Sequence, residues 1–91
     1  FSLGEIASIT GGRVIGDPTR ITVGVSTDSR AVGEDELFVA LVGARLDAHR
    51  FVPSSKAGAF LVSDASVLPS GASAVVVPDT LAALGALGTH H

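Results

Sequence analysis

Residues 36–43 read Glu-Leu-Phe-Val-Ala-Leu-Val-Gly, a nearly continuous apolar run of strand length. A strand with one wet face alternates apolar and polar side chains, whereas a strand covered on both faces reads as an unbroken apolar run. The segment therefore predicts the central strand of a sheet with layers on both sides. Residues 59–64 (AFLVSD) and 73–79 (SAVVVPD) repeat the pattern, the second ended by Pro78. Upstream, RVIG at 13–16 and ITVGVS at 21–26 are β-branched runs separated by GDPTR, in which Asp-Pro favours a turn. They predict two short strands lying side by side, as a hairpin or an adjacent pair.

Helical signals fall between these runs. In SLGEIASITGG, Ser2 stands three residues before Glu5, the spacing of a capping box, and a Gly pair follows as a stop. FVPSSKAG at 51–58 predicts a short second helix with Pro53 in its first turn, after an unpatterned polar loop, GARLDAHRF, at 43–51. DTLAALGAL at 79–87 opens a third helix with Asp79 as N-cap, which stops soon after it starts, as though another domain followed. The order α, β, β, β, α, β, β, α predicts a small α/β sandwich, a mixed sheet of about five strands flanked by short helices. With 91 residues there is room for one domain.

Composition removes several function classes. Six Lys and Arg stand against nine Asp and Glu, for a net charge of −3, and the basic residues are scattered, so no nucleic-acid groove is expected. The absence of cysteine excludes disulfides and thiolate zinc sites. No apolar run is long enough to span a bilayer and no basic-then-apolar leader is visible, so a soluble, cytoplasmic chain without membrane partners is expected. The ends, Phe1 without Met and Thr-His-His, are read as trimmed or tag-derived, and His90 and His91 carry no functional weight.

Ser29, His49 and Asp47 supply the residue types of a hydrolytic triad. The nucleophile elbow G-x-S-x-G is missing, because GVSTD has Asp28 where the second Gly is needed. A phosphate-binding loop is missing too, since the one lysine, Lys56, precedes Ala-Gly in a different context. What remains is STDSR at 26–30, set at the end of an apolar strand, and the 43–51 loop. Ligands collect at strand ends of α/β sheets, and these segments offer hydroxyls, amides and the Arg30 and Arg45 guanidiniums. Such groups suit a uracil or ribose edge and a phosphate. Taken from spacing alone, the structural reading prevails, with Asp28 and Arg30 a loop-stabilising ion pair and Ser29 a turn former.

The motif set STDSR, then DELFVALVG, then LDAHRF resembles the N-terminal domain of the Mur ligases. GEIASITGGRVIGD, AFLVSD and VVVPDTLAALGAL extend the resemblance over essentially the whole chain. It implies an ATP-dependent ligase of peptidoglycan precursor synthesis, with a role in cell-wall biogenesis, cell shape and cell division. D-A-H-x-F and the Gly-Gly turn are most similar to the member that adds D-alanyl-D-alanine to UDP-N-acetylmuramoyl-tripeptide, and next to the sibling that adds the third peptide residue. In that family this domain holds the UDP end of the substrate. ATP and Mg²⁺ belong to a central domain and the incoming amine is managed with a C-terminal one, so this chain alone is expected to hold no cofactor, metal or catalytic residue. By resemblance Thr27, Asp28, Ser29 and Arg30 lie on one side of the uridine diphosphate and Ala44, Arg45 and Leu46 on the other, with Asp47 and His49 shaping the loop. Two departures stand out: 51–62 is shorter than in the family, and Arg50 replaces a common acidic residue. A module that kept the fold and lost the nucleotide is the alternative of another class.

Overall fold

The computed structural model describes residues 1–43 and 46–90. Helix α1 (Leu3–Thr10) begins as its sequence dictates: the Ser2 hydroxyl accepts from the Glu5 N–H while the Glu5 carboxylate accepts from the Ser2 N–H. It ends at Gly11, whose φ of 73° is the left-handed cap that glycine adopts without a Cβ penalty. Strands β1 (Arg13–Ile15), β2 (Gly24–Ser26), β3 (Glu36–Val39), β4 (Ala59–Val62) and β5 (Ala74–Val76) follow, and helix α2 (Thr80–His90) closes the chain. A 3₁₀ helix at Ala48–Ser54 joins β3 to β4, and a shorter one at Ala65–Val67 joins β4 to β5.

The five strands form one mixed sheet in the order β1-β5-β4-β3-β2, parallel throughout except for β1, which pairs antiparallel with β5. Two cores lie on its faces. Leu37, Val39, Ala59, Leu61 and Val75 point to one, under Leu3 and Ile6 of α1 and Ala83 and Leu87 of α2. Phe38, Ala40, Phe60, Val62 and Ala74 point to the other, under Val52 and the Val32 loop. The unbroken apolar runs thus divide with period two, each face supplied with its own cover.

Four expectations need correction. The predicted β1–β2 neighbours lie at opposite edges, with three strands between them. The backbone of 18–22 is satisfied by the chain's first residues instead: Leu3 N–H donates to Arg20 O, Gly4 N–H to Pro18 O and Thr22 N–H to Phe1 O. The middle strand is β4, and β3 sits between β4 and β2. The second helix starts earlier than predicted and is 3₁₀, because the Asp47 carboxylate caps it by accepting from the His49 N–H, and Pro53 falls near its end. Asp79 caps α2 as expected, accepting from the N–H groups of Leu81 and Ala82, but the helix runs on to His90.

Candidate functional site

Because β2, β3, β4 and β5 run parallel, their carboxyl ends lie along one side of the sheet. STDSR leaves the end of β2, and the 40–47 segment leaves the end of β3. Between them opens a cleft of about 650 Å³, lined by Thr27, Asp28, Ser29, Arg30, Leu46, Ala48, Phe51 and Ser54. That volume lies in the range of small-molecule sites. The structure therefore brings five of the sequence-derived candidates to one cavity. Ala44 and Arg45 lie outside the described residues, and Asp47 and His49 stand behind the cleft.

The β2 turn is built by its own side chains. Ser26 Oγ accepts from the Asp28 N–H at 3.1 Å, and Asp28 Oδ1 accepts from the Arg30 N–H at 2.9 Å. This last bond, with the Arg30 charge adding to it, holds the Asp28 carboxyl below its ordinary range. The Arg30 Nε approaches Asp28 at 3.5 Å, but its side chain is 90% exposed, so the pair is a weak one and the guanidinium is available. Ser26 and Asp28 are thus spent on the turn, as the structural reading of this motif required. The hydroxyls of Thr27 and half-buried Ser29 have no hydrogen-bond partner among the described residues.

The opposite wall is pinned from behind. Ala48 N–H donates to Leu41 O and Gly43 N–H to Leu46 O, closing the loop. His49, 4% exposed, lies against Asp47 Oδ1 through Nδ1 at 2.7 Å, and its Nε2 accepts from the Ser63 N–H at 2.9 Å. Since Nε2 accepts, the ring proton is on Nδ1 and is donated to Asp47. The bonds from His49, its backbone N–H first, hold the Asp47 carboxyl below the usual range. The triad of Ser29 with His49 and Asp47 does not form: His49 Nε2 faces Ser63 instead, accepting from its N–H and lying 3.2 Å from its Oγ.

Sequence reading missed Ala48, Phe51 and Ser54. Phe51 supplies the aromatic part of the wall and carries the Arg50 guanidinium 5.5 Å from its ring centroid. The signal was present in LDAHRF, whose final aromatic was read as the start of a helix. Among the described residues no group of three or more His, Asp or Glu could hold a metal ion, and no helix is long and apolar enough to cross a membrane.

No protein-family model matches the chain. Over 89 residues, 90% of this chain, it is 41% identical to the UDP-N-acetylmuramoyl-tripeptide--D-alanyl-D-alanine ligase of Mycobacterium tuberculosis, of which it covers 17%. Over 72 residues, 76% of this chain, it is 38% identical to the UDP-N-acetylmuramoyl-L-alanyl-D-glutamate--L-lysine ligase of Staphylococcus aureus, of which it covers 15%. Among solved structures, MurF from Acinetobacter baumannii superposes with a TM-score of 0.87 at 28% identity, over 99% of this chain and 20% of that one. The chain thus spans about a fifth or less of the length of these relatives.

Proposed function

This chain is a Mur ligase N-terminal domain, most like that of MurF, and we propose that its cleft holds the uridine diphosphate end of a UDP-N-acetylmuramoyl-peptide for an ATP-dependent peptide ligase. The observation that carries the reading is the convergence of Thr27, Asp28, Ser29, Arg30 and Leu46 on one cavity, with two hydroxyls left for a ligand. The Thr27 and Ser29 hydroxyls and the turn amides face the polar edges of uracil and ribose, and Arg30 serves the pyrophosphate. Leu46 and Phe51 supply the apolar wall. Ala44 and Arg45 complete the opposite side by family resemblance.

The domain's contribution is positional. Anchoring a remote uridine fixes where the peptide carboxylate lies, so binding energy far from the reacting bond is used for orientation. ATP and Mg²⁺ have no part in the role proposed for this chain, whose one lysine, Lys56, precedes β4 rather than a glycine-rich helix start. They belong, in this proposal, to a central domain of the longer protein, with a C-terminal domain for the incoming amine. D-alanyl-D-alanine addition is the favoured reaction, on the 41% identity over 89 residues. Addition of the third peptide residue is the second reading, on the 38% identity over 72 residues.

The test is Ser29→Ala in the intact ligase. Loss of one hydrogen bond raises KM for the nucleotide substrate by about two- to tenfold with kcat nearly unchanged. An unchanged KM overturns the assignment of Ser29. Assaying D-alanyl-D-alanine against free amino acids as acceptors separates the two readings.

A further inference from the structure

The buried ring behind the outer cleft wall makes two bonds that favour opposite charge states. His49 Nδ1 lies 2.7 Å from Asp47 Oδ1, a contact that a positive ring strengthens. Its Nε2 accepts from the Ser63 N–H at 2.9 Å, which only the neutral ring can do. A third contact shows where a second proton would go. Ser63 Oγ stands 3.2 Å from the same Nε2, and a hydroxyl oxygen accepts as well as donates.

The two sides of this contact are not equally fixed. Ser63 follows directly on β4, the middle strand of the sheet, which is paired on both edges and buried along its length. His49 belongs to the 3₁₀ helix that carries Ala48, Phe51 and Ser54 into the cleft. Charging the ring would set an Nε2–H against the Ser63 N–H, two donors face to face, and the side free to yield is the wall. Among the described residues the charged groups around the ring are Asp47, Asp64 just beyond Ser63, and Arg50, whose guanidinium lies over the Phe51 ring. Asp47 is held below the ordinary carboxylate range first by the His49 N–H, and Asp64 first by the Ser66 hydroxyl. Both carboxylates therefore stay charged from about pH 8 to about pH 5, the interval in which histidine changes state.

We propose that His49 is a proton-operated clasp on the outer wall of the cleft. The neutral ring ties the 48–54 helix to the end of β4; a second ring proton, taken at Nε2, exchanges the Ser63 N–H for the Ser63 hydroxyl and frees the wall. The consequence for ligand affinity rests on the nucleotide reading given above, whereas the clasp itself does not.

The test is NMR of the full-length protein with isotope label confined to histidine, serine and phenylalanine. The His49, Ser63 and Phe51 signals are identified by their loss in His49→Gln, Ser63→Ala and Phe51→Leu. Between about pH 8 and about pH 5 the His49 ring should pass from the Nδ1–H form to the doubly protonated one, with the Ser63 and Phe51 amides shifting at the same midpoint. His49→Gln, whose side-chain oxygen can take the Ser63 N–H but does not titrate, should abolish the Ser63 and Phe51 shifts. One pH unit below the midpoint about a tenth of the molecules keep the wall clasped, so Kd for a UDP-sugar, whose diphosphate does not titrate here, rises by up to about tenfold. A ring that titrates while Ser63 and Phe51 stay still overturns the proposal. So does a ring that stays neutral throughout, an Nε2–H form at the alkaline end, or a folded His49→Gln that keeps both shifts. A UDP-sugar that binds at neither end overturns the nucleotide reading instead, and the ligand-free titration still decides the clasp.

Discussion

His49 is the residue on which the candidate site's outer wall turns, and His49→Leu tests that reasoning. The ring is 4% exposed and its Nε2 takes the Ser63 N–H at 2.9 Å, at the end of β4. Leucine has a similar volume and no acceptor, so little cavity is created and the Ser63 N–H is left without its partner. Leaving this part-buried donor unsatisfied costs up to about 1–3 kcal/mol. For a domain of this size that is a fall in Tm of roughly 5 to 20 °C. The Asp47 carboxylate is exposed and returns to water, so it adds little to the loss. Thermal unfolding followed by circular dichroism measures the change, and urea denaturation checks it at constant temperature. Under the proposed function the same substitution raises KM for the nucleotide substrate, because the loop carrying Leu46 loses its tie to the sheet. A Tm within about 2 °C of the parent, an effect below about 0.5 kcal/mol, refutes the claim that this bond holds the wall.

Three other outcomes are expected. Thr80→Val keeps the shape of a side chain that is 2% exposed but removes its 2.7 Å bond to Ala40 O, costing about 1–3 kcal/mol in urea unfolding; a neutral result would show that the carbonyl finds water. Gly12→Ala places a Cβ 2.7 Å from Val75 Cγ1 and Val77 Cγ1 and 2.8 Å from Val76 O, so α1 must shift, at a cost of about 1–3 kcal/mol by the same measurement. Asp47, Asp28 and Asp64 are each held below the ordinary carboxylate range by hydrogen bonds made in the folded state, so their stabilisation is complete above the unfolded value and is lost as pH falls through the folded ones. Stability should therefore decline below about pH 4, and Asp47→Asn should flatten that decline; an unchanged slope counts against the Asp47 bonds.

Much of this architecture is readable in the chain because local rules and tertiary packing agree. The Ser2 and Glu5 box, the Gly11 stop and the Asp79 cap are short-range devices whose geometry follows from residue type and spacing. The runs around Phe38, Phe60 and Val75 could only be strands covered on both faces. What could not be read is decided by distant partners. Nothing near Arg13 says that Val76 is its neighbour, and nothing near Pro18 says that its carbonyl serves Gly4. The site was legible in the same uneven way. Hydroxyls after β2 marked one wall, but the role of His49 depends on Ser63, fourteen residues on, and Phe51 enters the cleft only because the 3₁₀ helix starts at Ala48. The family resemblance supplied the ligand class that spacing left open.

The placement of β1 has a consequence for how the chain is made. Its partner, β5, is the last strand to be synthesised, with Arg13 set opposite Val76. At the usual rates of translation about 3 to 12 seconds separate the two. During that interval β1 exists without the strand it pairs with. The parallel strands β2 to β5, each neighbouring the next in sequence, can be laid down in order as they emerge. Within this sheet β1 is therefore made before the strand it needs, and it closes the sheet as a latch rather than seeding it.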